Sequence, residues 1–282
     1  MRARHFVFGD FGISRNRQWA QNILVACLTI LLGFAAMPVA IADSERSVKS
    51  NRIVSQDDDT PRRIAIIGDS LAQDLWNGLH KLYRENENVE IIRFTQVSTG
   101  LVRDDVYDWS EALKEFVKTK EFDIAIVLMG GNDRQPIRAN GRRLKRNTDA
   151  WKEEYANRVA KLINVLKPEA DEVYWLGLPI VRPPSMARAF RRFNKIYNAQ
   201  SDALGVKFIK TWSLFEDENG AYTSFGPDAG GVNRRLRKDD GMHFTVRGKL
   251  RFAQDVMEII GQDLIATNPG LRLNMASDPS GG

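Results

Sequence analysis

The sequence predicts an α/β domain, with a central parallel sheet of about five strands and helices on both faces. Three observations predict it. Between residues 62 and 260, short apolar runs alternate with stretches of helical periodicity. One run, residues 122–129, is apolar almost without a break, as in a parallel strand covered on both faces. The polar residues with chemical potential fall at strand ends and helix starts, the edge where such sheets bind ligands.

The elements follow in order. Residues 63–67 are a buried-strand run closed by Gly68. Leu71, Leu75, Leu79 and Leu82 recur at helical spacing. Residues 89–94 read as a second strand, 109–117 as a helix and 122–129 as the central strand. A helix over 150–166 stops before Pro168, and a strand over 172–178 stops at Pro179. Residues 186–204 form a basic amphipathic helix, 206–209 a strand, and 245–260 the last helix. The segment 211–244 reads as a long loop, too long for a plain connection.

The expected organisation is a targeting segment over 1–42, a polar linker over 43–61, the domain over 62–265 and a disordered tail over 266–282. In the leader, a basic stretch ending near Arg17 precedes an apolar run over 23–37, then Ala40 and Ala42. This reads as a signal peptide cleaved before Asp43. An uncleaved anchor is the alternative, since residues 23–42 give about 20 positions, just enough to span a bilayer. Both readings put the rest of the chain outside the cytoplasm, periplasmic or secreted, with membrane contact only through residues 23–42.

Net charge is +5, but the leader contributes four arginines against Asp10, and the remainder balances 37 basic against 35 acidic residues. That is too even to argue for a nucleic-acid partner. The only cysteine, Cys27, lies in the leader, so no disulfide framework is expected. Oligomeric state is not encoded in any of these features.

Four short blocks carry chemistry. Gly68-Asp69-Ser70 ends the first strand and opens a helix; Ser98-Thr99-Gly100 follows the second strand. Gly130-Gly131-Asn132-Asp133 ends the third strand, and Asp240-Gly241-Met242-His243 precedes the last helix. A serine hydroxyl needs an adjacent base to act as nucleophile. Of the two histidines beyond the leader, His80 lies ten residues along the helix that Ser70 opens. That is roughly 15 Å away, out of reach. His243 is therefore the candidate base and Asp240 its orienting acid. The Ser70 N–H at a helix start, the Gly100 N–H and the Asn132 amide are candidate oxyanion donors. Each block also has a plain structural reading: Ser70 as a helix N-cap, Gly-Gly-Asn-Asp as a turn, His243 as a helix-entry residue. Arg134, beside Asn132-Asp133, is a candidate substrate contact. The basic stretches over 182–192 and 234–238 read as a rim for an anionic ligand or as solvated charge.

Together these residues resemble the SGNH (GDSL-type) hydrolases, whose four blocks carry Ser, Gly, Asn and His. Ser70 sits in the first block, Gly100 in the second, Asn132 and Asp133 in the third, Asp240 and His243 in the fourth. The resemblance covers roughly residues 62–262 and is similar to a bacterial extracytoplasmic branch of ill-defined substrate. It implies a three-layer α/β/α flavodoxin-like fold and ester hydrolysis with no cofactor and no metal. Ala72 departs from the longer first block, which has a second serine there. The α/β-hydrolase pattern Gly-x-Ser-x-Gly is not met, because Ala72 also stands where its second glycine belongs. The expected activity is removal of short acyl groups such as acetyl from an acylated carbohydrate or another ester of the cell envelope. An envelope O-acyltransferase using the same site, a non-catalytic envelope-binding protein, and a metal-dependent phosphodiesterase using Asp69, Asp133, Asp240 and His243 are the alternatives.

Overall fold

A computed structural model describes residues 60–267; the leader, most of the linker and the end of the tail lie outside the described residues. Five strands, β1 (Arg62–Gly68), β2 (Val89–Thr95), β3 (Ile124–Leu128), β6 (Glu172–Leu176) and β7 (Lys207–Ile209), form one parallel sheet in the order β2-β1-β3-β6-β7. The α/β architecture with a five-stranded parallel sheet is the one the sequence predicts. β1 and β3 lie at its centre, in register from Ile64 opposite Ile124 to Gly68 opposite Leu128. Ile64 to Ile67 and all of β3 are buried, which is why both runs are apolar without alternation.

Strand order reverses between β1 and β3. The chain moves outward from β1 to β2, then crosses back and proceeds β3, β6, β7. Right-handed crossovers in opposite directions put helices on opposite faces. Accordingly α1 (Ser70–Leu82) packs with α5 (Val246–Thr267). On the other face α2 (Trp109–Thr119), α3 (Asp149–Leu166) and α4 (Pro184–Leu204) pack in series. The α1–α5 contact is close at Gly78. A Cβ there would lie 2.1 Å from the Lys249 carbonyl oxygen, so only glycine allows this approach.

Two short hairpins are additions to the sequence reading. The first joins β4 (Ile137–Ala139) and β5 (Arg142–Leu144) through Asn140 and Gly141, both at positive φ, 50° and 70°. That pair is the usual type I′ signature. The second joins β8 (Phe225–Pro227) and β9 (Asn233–Arg235), inside the segment read as a loop. The same segment also holds a 3-10 turn, Trp212–Phe215, whose Phe215 packs with Phe244 and Phe252 at ring-centroid distances of 4.7 and 5.5 Å. The last helix extends to Thr267. Among the described residues, no helix is long and apolar enough to cross a membrane.

Candidate active site

The reversal between β1 and β3 opens a crevice at the carboxyl edge of the sheet, and the four blocks converge there. β1 ends at Gly68, Asp69 caps α1 by accepting the Leu71 N–H at 2.9 Å, and Ser70 is the first helical residue. The plain reading of Ser70 as the N-cap is thereby overturned: Asp69 does that work, and the Ser70 hydroxyl is left for another partner. That partner is His243, whose Nε2 lies 2.9 Å from Ser70 Oγ. Its Nδ1 lies 2.7 Å from Asp240 Oδ2. Asp240 Oδ1 accepts the N–H groups of Met242 and His243 at 2.8 and 3.0 Å, so the acid is fixed to the loop that presents the imidazole. Partial burial works to raise the Asp240 carboxyl. The bonds from His243 and from the two backbone N–H groups outweigh it and hold the group down at about 2. His80 is elsewhere, stacked on Trp76 at 4.8 Å.

The second and third blocks are stitched into one wall. Asn132 Nδ2 donates to the Thr99 carbonyl at 2.8 Å. The buried Asp133 carboxylate accepts the N–H groups of Leu101 and Val102 at 3.1 and 3.2 Å and the Tyr155 hydroxyl at 2.7 Å. Gly100 lies directly against it, and a Cβ there would stand 2.0 Å from Asp133 Oδ1. The N–H groups of Ser70 and Gly100 donate to no acceptor among the described residues. A hydroxyl bonded to an imidazole, an imidazole held by a carboxylate, and an uncommitted N–H on the residue that carries the hydroxyl are parts that acyl transfer needs.

The family model described as "Protein of unknown function (DUF459)" matches residues 63–259, which is most of the chain. The chain belongs to the DUF459 family. No curated protein matches it in sequence. Among solved structures, the DUF459 chain is similar to a candidate acylhydrolase of Bacteroides fragilis, at 15% identity, a TM-score of 0.52, and coverage of 78% of this chain and 96% of that one. It is also similar to a catalytic mutant of Axe2, an acetylxylan esterase from Geobacillus stearothermophilus, at 15% identity, a TM-score of 0.50, and coverage of 72% and 95%. This DUF459 protein thus has the SGNH-hydrolase fold, as its four blocks led us to expect.

Sequence reasoning missed what holds the DUF459 site together. Asp69, read from the sequence only as part of the first block and of the metal-dependent alternative, is fully buried, and its Oδ2 also accepts the N–H groups of Gly130 and Gly131 at 2.9 and 2.8 Å. It therefore ties the first block to the third. Burial raises its carboxyl to about 6 against these three donors, with nearby Asp133 adding to the rise. Tyr155 continues the network to Tyr197 at 2.6 Å, and Tyr197 donates to the Met129 carbonyl at 3.0 Å. With their oxygens engaged by backbone N–H groups, Asp69 and Asp133 are poorly placed for the metal-dependent alternative. No cluster of three or more metal-ligating side chains occurs among the described residues.

Arg237 also departs from expectation. The stretch 234–238 reads as rim or solvated charge, yet Arg237 is fully buried, its guanidinium 4.2 Å from the Phe244 ring centroid and 5.3 Å from that of Phe215. Its Nη2 donates to the carbonyls of Ile180 and Met242 at 2.9 and 2.8 Å, joining the His243 loop to the loop after β6. Burial lowers this guanidinium to about 10, against the pull of Tyr222, Asp240 and Asp74. No local pattern distinguishes it from its exposed neighbours Arg234 and Arg235. Arg134 points its Nη2 to Ser185 Oγ, 3.3 Å away, at the start of α4.

Proposed function

We propose that this DUF459 protein is a serine-dependent ester hydrolase acting outside the cytoplasm, with Ser70 as nucleophile, His243 as base and Asp240 as the acid that orients it. The observation that carries the reading is the unbroken chain from Ser70 Oγ through His243 to Asp240, with contacts of 2.9 and 2.7 Å. Ser70 Oγ attacks the ester carbonyl carbon while His243 Nε2 takes its proton. The oxyanion that forms is held by the N–H groups of Ser70 and Gly100 and by the Asn132 amide. Collapse expels the alcohol, which receives the proton from His243, and leaves an acyl-serine. Water, deprotonated by His243, then attacks the acyl carbon, and Ser70 leaves with the proton. No step needs a metal or a cofactor. The short acyl group and its glycan carrier belong to the proposal as well. They are supported by the reading of residues 1–42 as an export segment and by the similar fold of Axe2, an acetylxylan esterase.

The test is to treat the full-length protein with a fluorophosphonate and to assay it on p-nitrophenyl acetate. Wild type is expected to label at Ser70 and to release nitrophenolate, and Ser70→Ala is expected to do neither. An unlabelled wild type with no turnover across several acyl lengths would sink the esterase reading and leave the non-catalytic binder. Transfer of the acyl group to an added glycan in preference to water would assign the O-acyltransferase instead.

A further inference from the structure

Three segments leave the carboxyl edge of the sheet around the site, and each is basic. Residues 134–146, directly after the third block, hold Arg134, Arg138, Arg142, Arg143, Lys145 and Arg146 and no acid. Residues 182–195, after β6, hold five basic residues and no acid. Residues 234–238, leading into Asp240, hold no acid and expose Arg234, Arg235 and Lys238, the fourth cation, Arg237, being buried. The segments touch one another. Arg134 Nη2 donates to Ser185 Oγ at 3.3 Å, joining the first to the second, and within the first Arg146 Nη1 donates to the Arg134 carbonyl at the same distance. Arg182 N donates to the Gly241 carbonyl at 2.9 Å, and its guanidinium donates to the Asp239 carbonyl. The basic rim is therefore continuous with the loop that presents His243.

The arrangement works against stability, which is a sign of function. In the first hairpin Arg138 stands opposite Arg143 across the two strands, both exposed. Like charges in that relation repel and destabilise a hairpin. No ion pair within contact distance relieves Arg138, Arg142, Arg143, Lys145 or Arg188 among the described residues; within the rim, Arg235 pairs with Asp239. Asp105 interacts weakly with Arg138 but is already bonded to Arg103. Elsewhere the surface intersperses its signs, as in α2, where Lys114 and Lys118 each pair with a glutamate three residues earlier. Five of the six cations in residues 134–146 are arginines, whose planar forks match carboxylates bidentately.

We propose that this rim binds a carboxylate-bearing glycan, so that the ester brought to Ser70 is carried on an acidic polysaccharide. The role of the bound chain as substrate rests on the ester-hydrolase reading; its binding does not. The experiment therefore begins with the full-length Ser70→Ala protein, titrated with polygalacturonate, with neutral xylan and with vesicles of anionic phosphatidylglycerol. Polygalacturonate is expected to bind and to weaken as salt is raised. The double variant R142E/R143E should lose about tenfold in affinity, whereas K161E, far along α3, should lose nothing. Thermal midpoints establish that each variant is folded. Equal affinity for xylan, indifference to R142E/R143E, or a preference for vesicles over the polymer would overturn the proposal. The active protein is then compared on O-acetylated polygalacturonate and on acetylated xylan, with faster acetate release expected from the acidic polymer. If polygalacturonate binds through Arg142 and Arg143 but no acetylated polymer or small ester is cleaved, the rim stands and the hydrolase reading fails.

Discussion

Replacing Asp69 by asparagine separates the two things this buried carboxyl does. Asp69 accepts three N–H groups, from Leu71, Gly130 and Gly131. Asparagine has one acceptor oxygen. If that oxygen stays on the two glycines, the amide faces the Leu71 N–H, donor against donor. Leaving that buried N–H unbonded costs about 1–3 kcal/mol at any pH. A second, pH-dependent difference comes from ionisation. In the folded protein the carboxyl is raised to about 6, against about 4 in an unfolded chain. Between those values the native state holds more protons, so this contribution to stability is full below about pH 4 and is lost as pH rises through about 6. Linkage gives wild type about 1.4 kcal/mol more stability at about pH 5 than at about pH 7.5 from this group alone. An amide does not titrate, so the variant lacks this contribution. The loss from Asp69→Asn should therefore be larger at the lower pH by that amount, about 4 °C in Tm for a domain of this size. Asp133 is also raised by burial and is present in both proteins; its repulsion with Asp69 is part of the difference that the comparison measures. Thermal unfolding of the two full-length proteins at both pH values measures the difference. An identical loss at the two pH values would refute the reasoning, because it would mean that Asp69 keeps one ionisation state throughout.

Asp240→Asn should lower kcat/KM on p-nitrophenyl acetate by about 10³–10⁴-fold, because the imidazole loses the carboxylate that fixes its tautomer. Since Asp240 is held at about 2, it stays ionised above about pH 4, and the pH profile of wild type in that range should show no step from this group. Gly78→Ala should destabilise by about 1–3 kcal/mol in urea unfolding, the reverse of the gain usual for this change in a helix, because the new methyl meets the Lys249 carbonyl. Gly100→Ala should drop esterase turnover more than it drops stability, since the Cβ drives against Asp133 and moves an oxyanion donor; comparing kcat with the urea midpoint tests this.

The elements that could be read from sequence are those with a local cause. β1 and β3 are apolar throughout because helices cover both their faces, and residue pattern alone reports that. The pairing of Ser70 with His243 followed from elimination, since the only other histidine beyond the leader lies down the helix Ser70 opens. The three-residue strands of the hairpins are too short to show alternation, although Asn140-Gly141 carried the turn signal for the first. Asp69 and Asp133 look like ordinary turn residues because what marks them out is donors from chain segments about 30 to 60 residues distant. Arg237 could not be told from its neighbours, because its burial depends on Phe215 and Phe244 closing around it. The proposed rim is still less readable, since its charge is brought together from three loops.

The hydrogen bond between Ser70 and His243 spans 173 positions of sequence. The serine is made near the start of the domain and the histidine near the end, and α5, which follows His243, packs against α1, which Ser70 opens. On the proposed mechanism, a chain still being synthesised, or one trapped with the central strands formed and the last helix loose, would carry a serine without its base and be inert. Catalysis on that mechanism would begin only once α5 has docked, and a chain not yet whole would not act on esters. Turnover per molecule becomes a direct count of completed chains, a property that a refolding experiment can exploit.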